Sequence, residues 1–254
     1  MERRQAVLLV GSPKPGRSSS LALGEYLLDD LERRGWGTET VNLRRVMNDP
    51  SALLVAAARA DVVILAYPLY VFGLPAPAVQ ALERLAEAWR ERAGQADGSA
   101  AAGSAADGSA ADGSAAAGSA ATGSAADGPH LVTIVNCGFP EHAHNDLSTE
   151  MCRLFAAQAG WHWSGALSLG GGGVIEGRPL RERGPLARSA RRALEQTAAA
   201  LHDGRDVPAE AVRLMAKPMI PARLYRWMSN YGWRRMAAGN GAGDRLDDRP
   251  FVTP

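Results

Sequence analysis

Cysteine is nearly absent from this chain. Cys137 and Cys152 are the only two in 254 residues. Two thiols make no disulfide framework, and such scarcity fits a reducing compartment. An excess of one charge is also missing: 28 basic residues face 27 acidic ones, a formal net charge of +1. A nucleic-acid protein would normally carry a basic excess, so that class is not expected. No uncharged apolar window approaches the roughly 18 residues that a spanning helix needs. The first apolar run, Ala6 to Val10, is too short for a signal-peptide core and leads straight into a glycine loop. The expectation is a cytoplasmic protein. What is present is ample apolar material, 46% of the chain, enough for one packed domain with appendages.

The apolar segments alternate between two periods. "AVLLV" after Gln5 is a short run with β-branched members followed by a glycine loop, which reads as a buried parallel strand. Leu23, Leu27 and Leu31, with Leu28 beside them, mark a helix that Gly35 stops. Thr38 to Leu43 reads as a second strand, Pro50 to Ala60 as a short helix, and Asp61 to Pro68 as the strongest strand. Pro77 to Arg92 is amphipathic and helical. His130 to Asn136 and Gly165 to Leu169 give two more strands. Between them, Leu147, Met151, Leu154 and Phe155 suggest a helix face. Leu186, Ala190, Leu194 and Leu201 suggest another in Pro185 to Leu201. Five alternations of strand and helix mean a parallel sheet with helices on both faces, an α/β fold.

Two stretches depart from this rhythm. From Gly98 to Ala126 the tetrad GSAA recurs six times at a period of five, which fits neither helix nor strand. Residues 95–128 therefore read as a disordered insertion within a domain of residues 1–203. Lengthening a connection from ~5 to ~35 residues adds only about 1.7 kcal/mol of closure entropy. Residues 204–254 read as a basic, aromatic C-terminal tail. Arg205 to Met236 holds seven Arg or Lys, two acidic residues, and Tyr225, Trp227, Tyr231 and Trp233.

Chemistry concentrates at "VGSPKPGRSSS". Gly11 to Ser18 matches the triphosphatase phosphate loop except that Arg17 replaces its lysine. Arginine is longer and planar, so it is no neutral replacement. No acidic residue ends any of the strands, so the magnesium half of triphosphatase machinery is missing. The loop still suits a phosphate. It joins a strand to a helix start, where free N–H groups and the helix dipole favour an anion. Ser12, Ser18, Ser19 and Ser20 offer hydroxyls, and Lys14 and Arg17 offer charge.

Three segments together carry a resemblance: "GSPKPGRSSS", "YPLYVFGLPAP" from Tyr67 to Pro77, and "NCGFPE" from Asn136 to Glu141. They resemble the FMN-contacting loops of the flavodoxin-like NAD(P)H-dependent FMN or quinone reductases. The likeness covers Gln5 to Leu201 without the insertion. It implies a doubly wound five-stranded sheet of order 2-1-3-4-5. Ligands in such sheets bind outside the carboxyl ends of the strands. It implies FMN, with NADPH or NADH as hydride donor and a quinone or similar small molecule as acceptor. It also implies a homodimer. Ser12, Lys14, Arg17, Ser18, Ser19 and Ser20 would hold the phosphate. Pro68, Leu69, Tyr70, Val71, Phe72 and Gly73, with Asn136, Cys137, Gly138 and Phe139, would frame the ring. The cofactor supplies the chemistry, so no obligatory acid or base is assigned.

The remaining motifs are weaker. Cys137 has no C-x-x-C partner. His142 and His144 form an H-x-H pair near Cys137 and Asp146, but the spacing matches no zinc pattern, so no metal site is assigned. The glycine run Gly170 to Gly173 lacks the G-x-G-x-x-G arrangement. The tail from Pro221 can dock on its own domain or a second copy, or touch an anionic membrane surface. Non-enzymatic alternatives are an electron carrier, which the near-neutral charge fits poorly, and a flavin-free scaffold.

Overall fold

The computed structural model describes residues 3–103 and 128–248. Five strands, β1 (Gln5–Val10), β2 (Gly37–Asn42), β3 (Val62–Pro68), β4 (Gly128–Asn136) and β5 (Trp161–Leu169), form one sheet. Their order is β2-β1-β3-β4-β5, and every pairing is parallel. Seven helices accompany them: α1 (Ser19–Arg33), α2 (Ser51–Arg59), α3 (Ala76–Gly103), α4 (Asp146–Ala159), α5 (Arg188–His202), α6 (Ala209–Ala216) and α7 (Ala222–Gly239).

Both sheet faces are covered, which explains why the central strands are mostly apolar rather than alternating. In β3, Val62, Ile64 and Ala66 join one core with α1, α5 and α6. Val63, Leu65 and Tyr67 join the other with α2, α3 and α4. The chain order reverses between β1 and β3, so the loops after β1 and β3 splay apart there and leave a crevice at the strands' carboxyl ends.

Four expectations need correction. α3 continues to Gly103, past the expected start of the insertion. Alanine is the best helix former, and extending an existing helix avoids the costly nucleus. The rest of the repeat block lies outside the described residues. The domain does not stop at residue 203 either: α6 buries Ala211, Leu214 and Met215 in the core, and the Val207 N–H donates to the Ser164 carbonyl at 2.9 Å. On α4 the expected apolar face is turned outward except at Phe155. Leu147, Met151 and Leu154 are exposed, while Ser148, Cys152, Phe155, Ala156 and Ala159 are buried. Ser148 is held inside because its Oγ donates to the Asn145 carbonyl and accepts from the Tyr67 hydroxyl. Finally, Leu186 is exposed ahead of α5, whose buried face is Ala190, Ala193, Leu194, Thr197, Ala198 and Leu201.

At the amino ends of β4 and β5, His130 and His162 lie with ring centroids 4.4 Å apart. His130 Nδ1 is 2.8 Å from Ser164 Oγ, and His162 Nε2 is 2.7 Å from Asp206 Oδ1. Burial, then the neighbouring His162 charge, holds the His130 pKa below its ordinary value. Folding thus favours neutral His130. The stability it contributes is full above the usual histidine range near about 6.5 and is lost as pH falls through the lowered folded value. We expect His130→Gln to flatten the loss of urea stability between about pH 7 and pH 5. An unchanged slope would show that His130 does not titrate against the fold.

Candidate functional site

The first loop leaves β1 at Gly11, whose N–H donates to the Ala66 carbonyl of β3 at 2.8 Å. A side chain there would meet Tyr67 Cβ at 3.0 Å and Ala78 Cβ at 3.1 Å, so the close approach of the chains requires glycine. Ser18 is the N-cap of α1, accepting from the Leu21 N–H at 3.1 Å. The amides of Ser19 and Ser20 open the helix, where no carbonyl precedes them to accept. Ser12 is buried, with its Oγ 3.4 Å from the Lys14 N–H. Lys14 and Arg17 are exposed, and neither side chain makes a salt bridge or hydrogen bond among the described residues, although Arg17 is near enough to Glu25 to favour its charged form. Two exposed cations, two unspent helix amides and the Ser12 and Ser18 hydroxyls make a donor set for a phosphate.

Ser19 and Ser20 do more for the fold than the sequence suggests. Ser19 Oγ donates to the Gly172 carbonyl at 2.8 Å. Ser20 is buried, and its Oγ accepts from Asn136 Nδ2 at 2.8 Å. The same Asn136 nitrogen donates to the Tyr67 carbonyl at 3.2 Å, and the Asn136 carbonyl accepts from the Leu69 N–H at 2.8 Å. One buried side chain therefore ties the ends of β3 and β4 to the start of α1, joining all three loops.

In the second loop, Tyr70 and Gly73 exchange two backbone hydrogen bonds, at 3.0 and 2.9 Å. The two residues between them, Val71 and Phe72, have φ of 49° and 59°. This is the mirror-image hairpin turn, normally built from Asn or Gly. A β-branched residue there is a genuine outlier, and each such residue costs about 1–3 kcal/mol. The strained turn holds Val71 almost fully in solvent, at 98% exposure, with Tyr70 and Phe72 half exposed.

The third loop closes the cluster. Phe139 and His144 have centroids 4.4 Å apart, and Phe72 and His144 5.7 Å. The three rings bring the second and third loops to one exposed aromatic edge. A side chain at Gly138 would meet nothing within 4 Å, so the backbone there stands open to a flat ligand. Cys137 is buried, its Sγ 3.4 Å from the Phe139 carbonyl, and burial raises its pKa. It stays a protonated, unreactive thiol. Cys152 is pushed up to about 12, also by burial.

Two contributors carry no assignment from sequence. After β5, Gly171 and Gly177 have φ of 67° and 68°, and the segment they bracket folds over the first loop. A Cβ on Gly177 would stand 2.9 Å from the Arg17 carbonyl carbon and 3.0 Å from the Ser18 nitrogen. The glycine run thus packs against the chain's own phosphate-loop candidate. The second is Tyr225 of α7, whose hydroxyl donates to the Gly138 carbonyl at 2.7 Å. The only sequence signal for it is the density of aromatics in the tail. A cavity of about 260 Å³ between α2 and α3, lined by Leu43, Leu53, Ala81 and Arg84, lies away from these loops.

Residues 5–126 match the family described as NADPH-dependent FMN reductase. That match spans just under half of the chain, and the sheet order above agrees with it. The chain resembles the flavodoxin-like NADPH-dependent FMN reductases. The chemistry of that family is FMN-dependent oxidation of NAD(P)H. Among solved structures, an NADH:FMN oxidoreductase in its apo form aligns over 86% of this chain and 96% of its own, at 13% identity and a TM-score of 0.50. An FMN-dependent NADH-azoreductase from Bacillus anthracis in complex with FMN aligns over 78% and 100%, at 13% identity and a TM-score of 0.49. An NAD(P)H:quinone oxidoreductase from Methanothermobacter marburgensis aligns over 77% and 96%, at 16% identity and a TM-score of 0.48. No curated protein matches. The residues present fit the family's cofactor: phosphate donors stand at the start of α1, and open backbone and exposed rings border them.

Proposed function

We propose that FMN lies across the three loops, and that the enzyme reduces a quinone or similar small, flat acceptor with electrons from NADPH or NADH. The observation that carries this reading is the Asn136 junction, which fixes an anion-ready helix start beside a strained, aromatic ring-binding turn. Bound FMN supplies the redox chemistry, accepting a hydride from the nicotinamide and returning two electrons to the acceptor. The protein binds and orients. Ser12, Lys14, Arg17 and Ser18, with the amides opening α1, take the phosphate. Ser19 and Ser20 brace that loop through Gly172 and Asn136. Pro68 to Gly73 and the backbone of Cys137 to Phe139 would frame the ring. Exposed Tyr70, Phe72 and Phe139 suit a planar, partly apolar acceptor. Steady-state oxidation of NADPH and NADH with a water-soluble benzoquinone tests this. Quinone-dependent turnover supports it, and FMN binding without such turnover would leave an electron carrier instead.

We also infer a homodimer. The face of α4 that carries Leu147, Met151 and Leu154 is apolar and exposed, and α4 starts next to the third loop. A second copy covering it would complete the surroundings of His144. Leu147→Lys with Leu154→Lys is expected to halve the mass found by light scattering. A dimer that survives both would place the contact elsewhere. We place the enzyme in the cytoplasm: both cysteines are free and buried, as suits a reducing compartment.

A further inference from the structure

The helix α7 is unlike every other long helix of the chain, because none of its residues is buried. Leu224, Trp227, Met228 and Tyr231 follow the spacing i, i+3, i+4, i+7 and so share one face. All four are exposed, at 47%, 65%, 49% and 58%. Trp227 and Tyr231 stack with centroids 6.0 Å apart and planes 13° apart, presenting a flat apolar plate to solvent. Trp233 and Met236 are exposed beyond it.

Charge is just as one-sided. Between Lys217 and Gly243 the chain has Lys217, Arg223, Arg226, Arg234 and Arg235 and not one acidic residue. The whole chain carries only +1, so positive charge is concentrated here. Arg223 and Arg234 border the apolar strip on its Trp227 side, Arg235 closes its C-terminal end in line with Met228 and Tyr231, and Arg226 lies on the far side of the helix. An apolar stripe with Trp and Tyr, edged by arginines, is the pattern of a helix lying in a membrane interface. No helix among the described residues is long and apolar enough to cross a membrane, so α7 would lie on the surface. A second copy suits this face less well, since a two-fold contact would bring together two surfaces that carry arginines and no acid to pair with them.

We propose that α7 seats the enzyme on an anionic lipid surface, with Leu224, Trp227, Met228 and Tyr231 in the interface and the arginines on the headgroups. The Tyr225 hydroxyl anchors the flank of the helix beside Met228 to Gly138, so the lipid surface lies next to the third loop. An acceptor dissolved in the bilayer would then meet the site, a consequence that rests on the acceptor reading above.

The test is co-sedimentation of the full chain with phosphatidylglycerol–phosphatidylcholine vesicles and with pure phosphatidylcholine vesicles. Binding to the first and not the second is expected, weakening as salt rises. Arg234→Glu with Arg235→Glu should lower the bound fraction at least about tenfold. Trp227→Ser with Tyr231→Ser should do the same. Neither pair touches the packed core, so circular dichroism and turnover with a soluble acceptor should stay as in the parent. Failure to bind the anionic vesicles would overturn the proposal. So would undiminished binding by both variants, or a change of oligomeric mass in the variants without vesicle binding, which would make the face a contact between copies. None of these outcomes alters FMN binding or soluble-acceptor turnover, so failure here is distinguishable from failure of the proposed function.

Discussion

Reversing charge at both Lys14 and Arg17 is expected to weaken FMN binding about 100-fold or more, with no loss of fold. Each cation donating to a phosphate contributes about 1.5–3 kcal/mol, and two such losses reach about two decades of Kd. The reason for confining the change to these residues is structural. Both are exposed, and neither side chain holds another part of the protein among the described residues. The serines of the same loop make poorer probes. Ser18 caps α1, Ser19 holds Gly172, and Ser20 holds Asn136, so replacing them would mix folding with binding. Fluorescence titration of FMN with Lys14→Glu/Arg17→Glu gives the answer. An unchanged Kd, with an unchanged melting curve, would move the phosphate away from the first loop.

Asn136→Leu should have the largest effect on stability of any single change at the site. Leucine matches the size but removes the donor. The buried Ser20 hydroxyl then loses its donor, whereas the Tyr67 carbonyl keeps its place in the β3–β4 ladder, and a buried unsatisfied group costs about 1–3 kcal/mol. A loss of about 2 kcal/mol lowers Tm by roughly 4–8 °C for a domain of this size. Gly172 adds to the constraint, since its Cα already stands so near that a Cβ would meet Asn136 Oδ1 at 2.6 Å. FMN affinity should fall even at temperatures where the variant is folded, because the three loops are no longer held in register. Thermal melts and FMN titrations of one sample check both. A variant with parental Tm would show that Asn136 is not the junction described here.

Much of the fold and of the site is legible in the sequence, and for identifiable reasons. Strands buried on both faces are apolar in nearly every position, so β1 and β3 stand out as unbroken apolar runs and β4 is interrupted within its core only by Thr133. The glycine and serines between β1 and α1 signal an anion loop because helix starts leave amides free. The same reasoning cannot show which serine hydroxyls are already spent, since Gly172 and Asn136 lie over a hundred residues away. Sequence places Asn136 in the ring's surroundings, and its role as junction emerges only where three chain segments meet. Periodicity misjudges the face of α4 because it counts apolar side chains. It cannot see that a serine bonded to Tyr67 belongs inside and that three large residues stay outside. The boundary at residue 203 fails in a similar way. Composition changes there, but Ala211, Leu214 and Met215 still complete the core. The strain at Val71 and Phe72 has no sequence signal at all, since neither residue favours the backbone it adopts.

The central claim is that these three loops hold FMN ready for reduction by a nicotinamide nucleotide. The most direct measurement is the visible spectrum of the purified protein with added FMN, before and after NADPH under anaerobic conditions. The account predicts that FMN bands shift on binding to the parent, bleach with NADPH, and show neither change with Lys14→Glu/Arg17→Glu. A parent protein that leaves the FMN spectrum unperturbed, with no bleaching by NADPH or NADH, would contradict it.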